Sequence, residues 1–195
     1  MNGFCRGKFC AAREFFPGDL GSPARRDYNP VSAVGGGNGG GEDAMKAVHH
    51  GAVSLASGGL LWLTMGNLGA AVACFFTGLL LDLDHLVDYL CHRPRANTLA
   101  DLVDVCENCR LDRVVLPLHS WELLALAALA AALLPAQRAL LAGAAVGLGT
   151  HLLADQLSNP VTGRAYLLLH RWRHGFRRGA FFDEAAVERL RDGAV

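Results

Sequence analysis

The chain has 195 residues with 18 basic and 18 acidic side chains; it is 52% hydrophobic, 18% charged, and has a mean hydropathy of +0.25. Soluble domains carry about 25% charged residues, so the deficit points to a membrane. The zero net charge leaves no global field to recruit nucleic acid or another polyanion.

Residues 1–44 hold Pro17, Pro23, Pro30 and the run Gly35-Gly36-Gly37-Asn38-Gly39-Gly40-Gly41. Such a stretch buries too little apolar surface to offset its conformational entropy, so disorder is expected there. Order is expected from Met45-Lys46, which is also a candidate start of translation. No basic segment followed by an apolar run marks a secretory signal, so the six cysteines are read as reduced. Cys106-Glu-Asn-Cys109 has ligand spacing but lacks a second such pair, and reads as part of a polar connector.

From Gly51 to Leu81 no residue is charged. The run exceeds one span of about 20 residues and breaks at Gly66-Asn67, predicting helices at 45–64 and 67–91. Gly58, Gly59, Gly69 and Ala70 would let these helices approach closely. Residues 92–117 read as a polar connector with a short helix near 98–109. The second apolar block, Leu123 to Ala154, is divided by Pro135, predicting helices at 118–134 and 136–157. After Asn159-Pro160 comes a segment with Arg164, Arg171, Arg173, Arg177 and Arg178 interleaved with Tyr166, Leu167, Leu168, Leu169, Trp172 and Phe176, which reads as a membrane-surface helix. A last helix is expected at 183–191.

The expected fold is therefore all-α: a bundle of about four antiparallel transmembrane helices plus short amphipathic helices. Its membrane domain covers 45–178, and a C-terminal helix and tail follow at 179–195. Arg93, Arg95, Arg110 and Arg113 lie in the connector and the arginine cluster follows the fourth span. The positive-inside rule then turns both termini and the connector to the cytoplasm of a multi-pass inner-membrane protein.

On this frame the ionisable residues gather. His49 and His50 start the first helix, Asp82, Asp84, His85 and Asp88 end the second, His119 opens the third, and His151 and Asp155 close the fourth. Each set lies about 25–30 Å of helix from the opposite turn, so an up-down bundle brings all four to one level at the cytoplasmic end. Asp84 and Asp88, and His151 and Asp155, are four apart and share a helix face. Imidazole with carboxylate suits a divalent metal ion, with zinc expected and manganese or iron as alternatives. The candidate ligands are His50, Asp82, Asp84, His85, Asp88, His119, His151 and Asp155, with His50 preferred over His49. Asp82 and Asp84 are two apart, so one is expected to bind metal while the other caps or orients a histidine. Asp155, Asp88 and Glu122 are the candidate proton acceptors. His92, His170 and His174 read as helix-end or snorkelling groups. Ser120 lacks the Gly-x-Ser-x-Gly surround of a nucleophile elbow.

At these residues the chain resembles the YdjM-type family of membrane-bound metal-dependent hydrolases, also described as LexA-binding inner-membrane proteins. The matching pieces are His49-His50-Gly51, Leu80-Leu81-Asp82-Leu83-Asp84-His85, Leu118-His119-Ser120 and His151-Leu152-Leu153-Ala154-Asp155. Leu81 replaces the family's proline and Leu118 its threonine, and no His-Arg-Gly precedes His119. The resemblance covers about residues 46–178 in scattered segments. Its motif order is similar to that of zinc-dependent phospholipases C and their nuclease relatives, which implies metal-activated water attacking a phosphoester.

The expected function is thus a membrane-bound metal-dependent hydrolase acting on a phosphoester or lipid-related substrate, with the bilayer as its partner and no nucleic acid. Two other readings stand beside it. One is a magnesium-dependent transferase using Asp84-x-x-x-Asp88. The other is a non-enzymatic scaffold stabilised by a metal.

Overall fold

The computed structural model describes residues 43–92, 111 and 113–191. The short helix expected near 98–109, and with it Cys106 and Cys109, lies outside the described residues. Helix α1 runs Asp43–Met65, α2 Leu68–Leu80, α3 Leu83–His92, α4 Trp121–Leu133, α5 Arg138–Ser158, α6 Leu168–Arg173, α7 Arg178–Phe181 and α8 Glu184–Arg191. No strand occurs among the described residues, only two isolated bridges, Arg113 with Arg177 and Val161 with Phe182. The all-α class is observed.

Two stretches, Leu68–Leu90 and Arg138–Ser158, are long and apolar enough to cross a membrane. Helix α4 is apolar but has only 13 residues, about 20 Å at 1.5 Å per residue, shorter than the expected 118–134. Its start is delayed because Ser120 is the N-cap, accepting from the backbone N–H of Leu123 at 3.1 Å. That bond uses the Ser120 hydroxyl for capping.

The α1–α2 break falls where the Gly66-Asn67 pair predicts it. Gly66 adopts φ +64°, a conformation glycine enters without a Cβ penalty, and its N–H closes α1 on the Trp62 carbonyl at 2.8 Å. Asn67 then caps α2 through the Ala70 N–H at 2.9 Å.

Helix α2 packs most extensively on α5 and α1. Gly143 and Gly147 on α5 make the first contact possible: a Cβ at either would overlap the backbone of Ala70 or Cys74. On the other side Gly58 of α1 faces the Ala71 carbonyl and Phe75. Gly59, expected at the same contact, has open space around it, and Gly69 meets Leu140 of α5 rather than α1.

Leu81, Tyr89, Leu116, Leu152, Tyr166 and Phe181 belong to a buried core beneath the polar end of the helices. The flanks stay apolar and exposed, with Leu63 at 80%, Leu133 at 68% and Leu157 at 78% of full exposure. Monomeric soluble proteins rarely leave so much contiguous apolar surface in water.

Candidate metal centre

Helices α2 and α3 would be one continuous helix but for Leu81-Asp82. There the N–H of Asp84 bonds the Leu81 carbonyl at 3.3 Å and that of His85 the Asp82 carbonyl at 3.1 Å, a local tightening to three-residue turns. The tightening turns Asp82 and Asp84, two apart in sequence, onto the same imidazole. Asp82 Oδ1 lies 3.5 Å from His119 Nε2, and Asp84 Oδ1 lies 2.8 Å from His119 Nδ1.

Helix α5 supplies the other half. His151 and Asp155, one turn apart, are both buried. His151 Nε2 is 3.2 Å from His119 Nε2. Asp155 Oδ2 sits 3.4 Å from both nitrogens, and Asp82 Oδ1 sits 3.3 Å from His151 Nε2. Two imidazole nitrogens therefore face each other with two carboxylate oxygens touching both. From α1, His50 stacks on the His151 ring at 4.5 Å, and its Nε2 is 3.2 Å from Asp155 Oδ1. Asn159 also donates to that oxygen, at 3.0 Å.

Partners on the far side of each ring set the protons. His151 Nδ1 is 2.7 Å from the Gly78 carbonyl, which can only accept, so Nδ1 carries a hydrogen, and in the neutral ring Nε2 holds the lone pair. A lone pair on His119 Nδ1 would confront the Asp84 carboxylate at 2.8 Å, so that nitrogen carries its hydrogen too. Neutral rings would then bring two lone pairs and two carboxylates together. Such an arrangement requires a cation, either a proton or a metal ion. Burial opposes charge on His119, but Asp155, Asp82 and Asp84 outweigh it and hold its pKa well above the ordinary histidine range.

The separations suit a metal ion. Ligand atoms bound at about 2.0–2.1 Å in tetrahedral geometry stand about 3.3–3.4 Å apart. The set His119, His151 and Asp82, and the set His119, His151 and Asp155, have separations between 3.2 and 3.5 Å. Three overlapping groups can hold an ion: His50, His151 and Asp155; Asp82, His119 and His151; Asp84, His85 and His119. Asp84 Oδ1 is shared between His119 Nδ1 at 2.8 Å and His85 Nδ1 at 3.5 Å, while the buried His50 Nδ1 has no hydrogen-bond partner among the described residues.

Seven of the eight candidate ligands meet here. Asp88 stands apart, its Oδ2 accepting from the Val115 N–H at 2.8 Å. Glu122 also lies away: its two oxygens accept from the N–H groups of Leu168 and Leu169 at 2.9 and 3.0 Å, capping α6. His49 is exposed, while His50 is half-buried in the cluster. His170 and His174 pair with each other, ring centroids 4.2 Å apart. The side chain of His92 lies outside the described residues.

The sequence reading missed Arg171. It treated the arginine segment as a surface helix, and Arg173, Arg164 and Arg177 are indeed exposed, but Arg171 is completely buried. It also missed the Gly78 carbonyl and Tyr166, a buried phenol beside His119 whose ionisation burial suppresses. Backbone acceptors leave no residue-type signal in a sequence. Comparison with protein-family models, curated proteins and solved structures gives no match to this chain.

Proposed function

We propose that the chain is a multi-span membrane protein, with four antiparallel spans, that holds a divalent metal ion at its cytoplasmic end and hydrolyses a phosphoester or lipid-related substrate. Zinc is the preferred ion, with manganese and iron as alternatives. The observation that carries the reading is the pair of ring nitrogens 3.2 Å apart, flanked by Asp82 and Asp155 at 3.3–3.5 Å. His119, His151, Asp82 and Asp155 would hold the ion, and Asp84 would orient His119. A bound ion would lower the pKa of a coordinated water toward neutrality.

Exposure supports an open site over a closed structural one. The Asp82 and His85 side chains are 46% and 31% exposed, whereas His119, His151 and Asp155 are buried. Asp82 would be the open side of the cluster toward a substrate. Of the three acids considered as proton acceptors, Asp155 is at the cluster, whereas Asp88 and Glu122 are engaged with backbone N–H groups elsewhere. The same geometry gives less support to a magnesium transferase. Asp84 and Asp88 each bind a backbone N–H of the segment before His119 rather than turning to one common ion. Hydrolysis of a phosphoester is what the resemblance to the YdjM-type family implies, while the cluster itself supports the metal ion.

The test is turnover by detergent-purified protein of a chromogenic phosphodiester and of phospholipid in mixed micelles. Activity should disappear on chelation, return with zinc or manganese, and be absent in His151→Ala. A stoichiometric metal with no turnover of either substrate would favour the scaffold.

A further inference from the structure

The segment Val115-Leu116-Pro117-Leu118-His119 carries a central residue of the cluster, yet it belongs to no helix. Leu116 sits at φ +37°, in the left-handed region that a branched side chain enters only under constraint. Something must hold the loop in that shape.

Two sets of charged groups grip it from opposite sides of its peptide groups. On the N–H side, Asp88 Oδ2 accepts from Val115 at 2.8 Å and Asp84 Oδ2 from Leu118 at 3.0 Å. On the carbonyl side stands Arg171. Its Nη1 donates to Val115 O at 2.6 Å and Leu116 O at 3.2 Å, and its Nη2 donates to His119 O at 2.7 Å. A planar guanidinium presents fixed, diverging donors that a lysine ammonium lacks. A fully buried cation is costly unless paired and hydrogen-bonded. Asp84, Glu122 and Asp88 supply the balancing charge. The α6 end is fixed in turn, since Glu122 caps it and the Phe176 N–H returns to Arg171 O at 2.8 Å.

We infer that Arg171 is a positioning residue of the metal centre: it clamps the carbonyls of Val115, Leu116 and His119 against the anchors Asp84 and Asp88, and so fixes where His119 Nε2 stands. The inference rests on the metal reading above. It assigns Arg171 no contact with metal or substrate. It ties the C-terminal arginine segment to the ion through a loop about fifty residues earlier in the chain.

Full-length protein in detergent, wild type and Arg171→Lys, tests it by three readouts: zinc affinity by chelator competition, the visible absorption of the cobalt-substituted protein, and helix content. Arg171→Lys should keep its helix content, bind zinc about 10–100-fold more weakly, as expected when a group orienting a ligand is lost, and shift the cobalt bands. Asp88→Asn, which loosens the opposite side of the loop, should move affinity and spectrum the same way. It carries the test should Arg171→Lys not fold. A folded Arg171→Lys with unchanged affinity and cobalt spectrum would reduce Arg171 to a packing residue. So would an unfolded Arg171→Lys beside an Asp88→Asn that binds as wild type. Wild-type protein that binds neither ion would overturn the metal reading, and this inference with it.

Discussion

At the scale of single residues the cluster divides its labour by which atom faces which. Asp84 spends one oxygen on His119 Nδ1 and the other on the Leu118 N–H, so it shapes the centre from behind. His151 has its far nitrogen on the Gly78 carbonyl and its near one in the cluster. Asp84→Asn is therefore expected to weaken metal binding by about 10–100-fold without abolishing it, whereas His151→Ala should abolish it. Chelator competition separates the two. Glu122→Gln should act chiefly on stability. Hydrogen bonds to a charged group contribute about 1.5–3 kcal/mol, so the variant should unfold at lower temperature, with a smaller loss of metal affinity than Asp84→Asn because Glu122 acts only through α6 and Arg171. The set of residue types was legible in the sequence because few ionisable groups interrupt the apolar helices. The roles of Asp82 and Asp84 were not, because a three-residue turn at Leu81-Asp82 decides them and leaves no mark in residue spacing.

At the scale of elements, several helix limits follow from punctuation that sequence carries openly: Gly66-Asn67, Pro135 and Asn159-Pro160; the start of α4 does not, because the Ser120 cap moves it from the expected 118 to Trp121. Which small residues would serve as contacts was harder to read. Gly59 looked equivalent to Gly58, yet only the latter faces α2. Gly143 and Gly147, four apart on α5, let the α2 backbone come close, and nothing in their local sequence distinguishes them from Gly149. Gly147→Ala should force α5 from Cys74 and destabilise by about 1–3 kcal/mol. Gly59→Ala, with open space around it, should be neutral or stabilise by about 0.5–1 kcal/mol through lost chain entropy. Paired unfolding titrations in detergent would show this contrast, and equal losses would contradict the packing described. Arg171 escaped the sequence reading for a related reason. An arginine every few residues beside leucines looks like one polar face, and burial of one member depends on carbonyls contributed by the distant 115–119 loop.

At the scale of the whole molecule, two stretches are long and apolar enough to cross a membrane, and the proposed arrangement places them in lipid with the cluster and its buried core at their end. The protein should accordingly stay with membranes through an alkaline carbonate wash and leave them only with detergent. Release by carbonate would contradict the spanning role of Leu68–Leu90 and Arg138–Ser158. The central claim is that chain segments far apart in sequence meet to bind one metal ion through His119 and His151. Elemental analysis of detergent-purified wild type beside His151→Ala tests it most directly. Stoichiometric zinc, manganese or iron in the wild type, absent from an equally helical His151→Ala, is the predicted result. A wild type without stoichiometric metal, or a variant that retains it, would contradict the account.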